Sequence, residues 1–550
     1  MQYDDKIFGD LTKKEFLSER EAKKLTKPSI EKIIPEDPTP EDEIEIIINC
    51  PFSFSPKLAR LYIEEKESQH QVLNIESLEI TWKDHIFNFT QLLRIKIPPL
   101  GKATIVKLVL EDIFNNFSDV WYFSIDNFTS PSWSEESIIY HIFVDRFASG
   151  DKEIISSDNL KDKLGGNLKG IISRLNYIED LGVNVLWLSP IFKSTSYHGY
   201  DIEDYFEIDP IWGSKEDLKE LVKKAFDRGI RIILDFVPNH LSYNNPIFQE
   251  ALKDEKSKYR EWFIFNGDTY ETFFGVKSMP KINLKNKETK NYIIKAAEYW
   301  IKNFGISGYR LDHVTGPDIN FWTDYYYSMK SKFPDTFHFG EIVDTPLEVK
   351  NYIGRLDATL DFYLFKIIRD FFIGKKYHSY EFLKIVEMKN KFYNGKIKTL
   401  SFLENHDSNR FLWVSKSKKI LELASIFQFS VNDIPIIYNG QEMGANQFRD
   451  IIEGNKTLHE YARLPIPWKE QDKDLIDFYK KLVKIRKNHP SLYKGNFKAI
   501  PSQILSFQKE YKDEKFLILI NIQEKKEKFK LDGIYKDLLT EKIYSETLEV

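Results

Sequence analysis

Short apolar runs alternate with longer amphipathic stretches from Ile138 to about Pro490, and this alternation constrains the fold more than any other feature of the chain. The runs are IIYHIFV (138–144), VNVLWL (183–188), IRIILDFV (230–237), ISGYRLD (306–312), FHFGE (337–341), LDATLDF (356–362), KTLSFLEN (398–405) and IPIIY (434–438). Near-continuous apolar character fits strands buried on both faces of a parallel sheet. Between them lie helix-like segments such as LKGIISRLNYIEDLG, SKEDLKELVKKAFDRG and NYIIKAAEYWIKNFG, each closed by the glycine that commonly stops a helix. Eight strand–helix units in series predict an α/β fold, a (β/α)8 TIM barrel.

The rest of the chain divides around that barrel, which takes residues 131–240 and 288–494. The gap between strand three and its helix, residues 241–287, is too long for a loop and predicts a small inserted domain. Ahead of the barrel, IEIIIN, LYIEE, LEITW, HIFNF, LRIKI, TIVKLVL and VWYFSI are seven short strand candidates, which predict an N-terminal β-sandwich over 43–130. Residues 1–42, with the run PEDPTPEDE, read as a charged arm, and 495–550 as a short C-terminal all-β domain.

Composition excludes several classes of function. The charges, 79 basic against 84 acidic, fit no nucleic-acid partner. No long uncharged apolar stretch suggests a membrane span, and the polar start MQYDDKIFGD is no secretory leader, so a cytoplasmic protein is expected. The single Cys50 allows neither an internal disulfide nor a thiolate metal cluster.

Active groups of such a barrel stand at the C-terminal ends of its strands. There the sequence supplies Asp235, Asn239 and His240 after strand three, and Arg310 and Asp312 on strand four. Glu341 follows strand five, and His406 and Asp407 follow strand seven. Taken singly, each has a bland reading as a cap, an ion pair or a loop hydrogen-bonder. Four carboxylates and Arg310, with two histidines, gathered at one mouth are not explained by packing. Arg310 and Asp312 are two residues apart and share a face, so the guanidinium favours an ionised Asp312. Glu341 follows an apolar run and is expected to keep a proton. One ionised and one protonated carboxyl is the pair that a retaining glycosidase uses.

In order along the chain, DFVPNH, GYRLDHV, FGEIVDTP and FLENHDSNR resemble the four main signatures of the α-amylase family of glycoside hydrolases. LWLSPIFKSTSYHGYD, MPKIN and IPIIYNGQEMG resemble its flanking signatures, MPKIN being similar to the neopullulanase, cyclomaltodextrinase and maltogenic-amylase branch. The resemblance covers roughly 135–550 and implies hydrolysis of α-1,4-glucans: maltooligosaccharides, cyclodextrins, pullulan or starch. It implies Asp312 as nucleophile, Glu341 as general acid and base, and Asp407 as the third carboxylate. Arg310 would orient the nucleophile. His240, His406 and Tyr200 would contact the sugar, with Asp201, Asp235 and Asn239 as structural neighbours. Val343, Thr315, Gly316 and Asn439 depart from the pattern, the first three on the leaving-group side. A transferase using the same covalent intermediate is the alternative, and a non-catalytic binding homologue the remote one.

No cofactor is required by this chemistry. Relatives of this branch often hold calcium through turns that here read ASGD (148–151) and GGNL (165–168), so Asp151 and Asn167 are the candidate ligands of a structural calcium. A homodimer is a further expectation, because the sandwich aromatics Trp121, Tyr122 and Phe123 must be covered, by their own domain or by a second copy.

Overall fold

The computed structural model describes residues 27–51, 53–63, 70–83, 88–150, 154–155, 157–523 and 525–550. It divides into two compact units, Met1–Phe128 and Thr129–Val550.

The first unit stacks two four-stranded antiparallel sheets. One runs in the order Ser29–Ile34, Ile44–Pro51, Asn88–Ile97, Ile75–Lys83, and the other His70–Leu73, Pro56–Ile63, Thr104–Asp112, Trp121–Ile125. Alternation decides what is buried: Ile44, Ile46 and Ile48 point inward and meet Leu93, Ile95, Ile97, Leu61 and Leu108. Three details differ from the sequence reading. Ser29–Ile34, assigned to the arm, is an edge strand paired with Ile44–Pro51. Only Ile30 and Ile33 of it pack on the core, so its alternation is too weak to read. The later part of HIFNF and the whole of LRIKI form one strand, Asn88–Ile97, held by partners on both sides. The cluster at 121–123 is largely covered: Tyr122 and Phe123 are buried, and Trp121, partly exposed, packs on the sandwich core. The start of the arm, parts of LYIEE and HIFNF, and Asp151 lie outside the described residues.

In the second unit all eight apolar runs become strands of one closed parallel barrel: Ile139–Ile142, Val185–Leu188, Arg231–Phe236, Gly308–Leu311, Phe337–Gly340, Ala358–Leu360, Lys398–Phe402 and Ile434–Tyr438. Strand eight closes on strand one with Tyr438 beside His141. The surrounding helices end as expected. Gly182 and Gly305 take left-handed conformations as C-caps, and Ser214 and Asp217 form a reciprocal cap at the start of Lys215–Phe226. The helix read as one unit over 168–181 is two, Leu168–Ser173 and Leu175–Leu181, broken at Arg174.

Two insertions build up the mouth. After strand two, a hairpin of Phe192–Ser194 and Ile202–Ile208 carries Tyr200 and Asp201 between its strands, a feature the sequence did not announce. After strand three, 241–287 forms the helix Pro246–Lys253 and a tight hairpin, Phe265–Asn266 with Thr269–Tyr270. Phe248, Trp262 and Phe263 bury this insertion against the barrel's own core. The chain ends in a three-stranded sheet over Asn496–Ile520, followed by two short strand pairs. Among the described residues no helix is long and apolar enough to cross a membrane.

Candidate active site

Strand four supplies the centre of the site. Gly308 gives it room, since a Cβ there would lie 1.9 Å from the Phe337 carbonyl oxygen of strand five. Arg310 is fully buried, and its fork reaches three carboxylates. Nη1 donates to Asp235 Oδ1 at 2.9 Å and to Asp312 Oδ1 at 2.7 Å, and Nη2 lies 2.9 Å from Glu341 Oε1. Asp235 also accepts from Tyr200 Oη at 2.9 Å and from Trp187 Nε1 at 3.1 Å, so this carboxylate is fully engaged and holds the arginine rather than facing the mouth. Glu341 takes a further bond at Oε2, from the backbone N–H of His313 at 3.1 Å.

A second arginine, Arg463, closes the opposite side. Its Nη2 donates to Asp407 Oδ1, its Nε to the His406 carbonyl at 2.8 Å and its Nη1 to Tyr197 Oη at 3.1 Å. Asp407 Oδ2 lies 2.9 Å from His406 Nε2, whose ring stacks parallel to Tyr200 with centroids 5.4 Å apart. The same nitrogen lies 2.7 Å from Tyr200 Oη. With the tyrosine proton on Asp235, a proton on His406 Nε2 serves both Asp407 and the phenol oxygen.

His240 is buried and stacks on Phe273 at 4.5 Å. The Asn239 amide donates to its Nδ1 at 3.2 Å, which leaves the proton on Nε2. That nitrogen is buried and has no protein partner, as a donor kept for a ligand would be.

The electrostatics separate the carboxylates into two groups. Burial pushes Asp407 up, but His406 and Arg463 outweigh it and hold the carboxyl well below its usual range, so it is ionised at all working pH values. Burial pushes Glu341 up to about 7, aided by Asp312 and Asp407 and opposed by Arg310. Asp312 is raised to about 7 in the same way, by burial first, with Arg310 opposing and Asp235 and Asp407 adding to it. This corrects the expectation that Arg310 keeps Asp312 simply ionised. One guanidinium is shared by three buried carboxylates, and its charge is not enough to hold them all low. Asp312 and Glu341 are thus both raised to about 7, with Asp235 beside them raised to about 6, each by burial first.

A stability consequence follows for Glu341. Its folded pKa is raised, so the unfolded chain ionises first as pH rises. The stabilising contribution is complete below about pH 4 and is lost as pH passes through 7. Gln carries no such proton. The melting temperature of Glu341→Gln relative to wild type should therefore climb between pH 4 and 8, over a free-energy span of roughly 3 kcal/mol. Calorimetry across that range checks this; a pH-independent difference would contradict the raised pKa.

Of the remaining candidates, the Asp201 carboxylate accepts from the Ser196 hydroxyl and the Ser196 backbone N–H and serves the hairpin, not the mouth. Asn167 does not fit a calcium ligand. Its Oδ1 caps the helix Leu168–Ser173 by accepting from Gly170 N at 2.8 Å and also accepts from Gly150 N at 3.2 Å, while Nδ2 donates to the Gly165 carbonyl at 3.3 Å. Its oxygen lone pairs are spent, and among the described residues no His, Cys, Asp and Glu cluster suits a metal. Sequence reasoning missed Arg463, His459, whose Nδ1 lies 3.6 Å from Asp407, and His141, which stacks on Trp187 at 3.5 Å. Arg463 and His459 sit on the long loop after strand eight, where no periodicity marks them. His141 lay in plain view on strand one, but it falls within the strand rather than at its end.

The family described as alpha amylase, catalytic domain, matches residues 141–469. The chain is 64% identical over 552 residues to "Alpha-amylase 2" of Dictyoglomus thermophilum, covering 100% of this chain and 98% of that one. It is 34% identical over 426 residues to a "Cyclomaltodextrinase" of a Bacillus species, covering 72% of this chain and 74% of the other. A solved structure titled "Cyclomaltodextrinase" superposes with a TM-score of 0.69 at 26% identity over 92% of both chains.

Proposed function

The chain belongs to the alpha-amylase family, and from that premise we propose how its site acts. It is a glycoside hydrolase of α-glucans. In this reading Glu341, protonated, gives its proton to the departing glycosidic oxygen while Asp312, ionised, attacks the anomeric carbon. Water then enters, loses its proton to Glu341, and releases the sugar from Asp312 with net retention. Asp407 accepts hydrogen bonds from the ring hydroxyls of the sugar being distorted, His240 donates to that sugar from Nε2, and His406 holds Asp407 in place beside it. Tyr200 fixes His406 and Asp235 and presents its ring to the glycone.

The observation that carries the proposal is the shared fork of Arg310. It brings Asp312 to one guanidinium nitrogen and Glu341 to the other, and burial raises both carboxyls to about 7. A pair so arranged needs no cofactor, since every proton moves between side chains and substrate. Activity should peak near neutrality. It falls at lower pH as Asp312 is protonated and at higher pH as Glu341 loses its proton.

The proposed substrates are α-1,4-linked: maltooligosaccharides, cyclodextrins, pullulan and starch. A cytoplasmic location belongs to the same reading and suits a lone, buried, unpaired Cys50. The test is product analysis on β-cyclodextrin, pullulan and soluble starch side by side, with NMR of the first sugar released. The α-anomer is expected; a β-anomer, or no turnover of any of the three, would contradict the proposal.

A further inference from the structure

We infer that Lys163 is a positioning residue for the reaction: its ammonium fixes the hairpin after strand two that delivers Tyr200 to the mouth. The inference rests on the hydrolase reading above. Lys163 stands outside the candidate site, yet its side chain is only 19% exposed. The ammonium lies 2.9 Å from Asp209 Oδ2, donates to the Ser194 carbonyl at 3.0 Å, and stands over the Trp212 ring, 5.2 Å from its centroid. A lysine seldom gives up water in this way unless its charge is paired, and here every partner belongs to the hairpin or to the turn that follows it.

The hairpin needs such a clamp because its own pairing is irregular. The register of Phe192–Ser194 against Ile202–Ile208 shifts on both sides of Lys193. At Ser194, charged side chains take the backbone groups: its N–H donates to Asp209 Oδ2 at 3.3 Å and its carbonyl accepts from Lys163. With the Lys163–Asp209 pair this closes a triangle around one residue. Both ends of the clamp are held. Asp209 Oδ1 accepts from Ile211 N at 3.0 Å. Next to Lys163, the N–H groups of Leu164 and Gly165 donate to the Asp145 carboxylate at 3.0 and 3.3 Å, and Asp145 lies in the short helix Val144–Phe147 that leaves strand one.

The clamp reaches Tyr200 by two routes. Along the chain, Ser194 Oγ donates to the Ser196 carbonyl at 3.2 Å, and the Ser196 hydroxyl donates to Asp201. Across space, the Trp212 ring beneath the ammonium packs on Gly199. A Cβ at Gly199 would lie 2.9 Å from Trp212 Cη2 and 2.6 Å from the Pro190 carbonyl oxygen, and the φ of +79° suits glycine. Tyr200 follows at once. Its hydroxyl lies 2.9 Å from Asp235 Oδ2 and 2.7 Å from His406 Nε2, and these two hold Arg310 and Asp407. One hydroxyl thus joins both arms of the site, and a small displacement of it is enough to slow the chemistry.

The experiment measures kcat/KM on maltohexaose, well below the melting temperature, for wild type, Lys163→Met, Lys163→Arg, Tyr200→Phe and the double variant of Lys163→Met with Tyr200→Phe. Lys163→Met keeps an unbranched apolar stem and removes the charge. It should lower kcat/KM about tenfold, less than the loss that a full ångström of misplacement brings. Lys163→Arg, which keeps a cation over Trp212 and beside Asp209, should recover most of that loss. In the Tyr200→Phe background the same Lys163→Met change should cost less than about threefold, because the hydroxyl through which it acts is gone. A merely structural lysine would lower the melting temperature and leave the two losses multiplicative. The inference is overturned by wild-type kcat/KM in Lys163→Met, by an equal loss in Lys163→Arg, or by a full loss that persists in the Tyr200→Phe background. If Lys163→Met does not fold, Lys163→Gln, which keeps a donor and loses the charge, is read in its place by the same criteria. Wild type that turns over no α-glucan overturns the hydrolase reading itself, and the inference falls with it.

Discussion

Asp312→Asn should reduce turnover of maltooligosaccharides by roughly 10⁴-fold or more, the scale on which removal of a nucleophile is felt. The amide keeps the shape and can still receive the Arg310 hydrogen bond at 2.7 Å, so the fold should persist. Glu341→Gln should cost less, about 10²–10⁴-fold, the usual worth of a general acid. The two variants should part on a glycosyl fluoride, whose leaving group needs no proton. Glu341→Gln should still form the glycosyl–enzyme with it, and Asp312→Asn should not. Steady-state kinetics on the two substrate types check the assignment. Near-wild-type turnover of oligosaccharides in either variant, or equal losses on the fluoride, would reverse or remove the roles given to these residues.

Asp407→Asn is expected to lower kcat by about 10²–10³-fold, with a smaller change in KM. The carboxylate is kept ionised by Arg463 and His406, and a third of its side chain remains open to the mouth. It can therefore meet sugar hydroxyls as a full charge, and such bonds strengthen as positive charge develops on the sugar ring. The neutral amide loses that response and leaves the buried Arg463 without its anionic partner. A change confined to KM would mean that Asp407 only positions the substrate.

How much of this was legible in the sequence depended on what each element buries. The eight barrel strands are buried on both faces, so their apolar runs are continuous and readable. Ser29–Ile34 is an edge strand with mostly polar residues outward, so its sequence reads as an arm. The strand-end rule found Asp312, Glu341 and Asp407, because a barrel delivers those positions to one mouth whatever the loops do. It could not find Arg463 or His459, which arrive on a long loop whose return path is set by tertiary contacts. Nor could it give the proton balance. Arg310 and Asp312 as neighbours suggested a simply ionised nucleophile. The raised pKa of Asp312 depends first on its burial, and then on Asp235 from strand three and Asp407 from beyond strand seven, which only the closed barrel brings beside it. Of the two calcium candidates, Asp151 lies outside the described residues, and the Asn167 side chain caps a helix, as asparagine before a helical run commonly does.

The central claim is that Asp312 becomes covalently bonded to the sugar. The direct measurement is to incubate Glu341→Gln with a fluorinated glycosyl fluoride that forms the intermediate but releases it slowly, digest the protein, and find the modified peptide by mass spectrometry. The account expects one glycosyl ester, on the peptide carrying Gly308–Asp312 and located to Asp312 by fragmentation. A label on Asp407, Asp235 or any other residue, or reaction with the fluoride that leaves no covalent species on the protein, would contradict it.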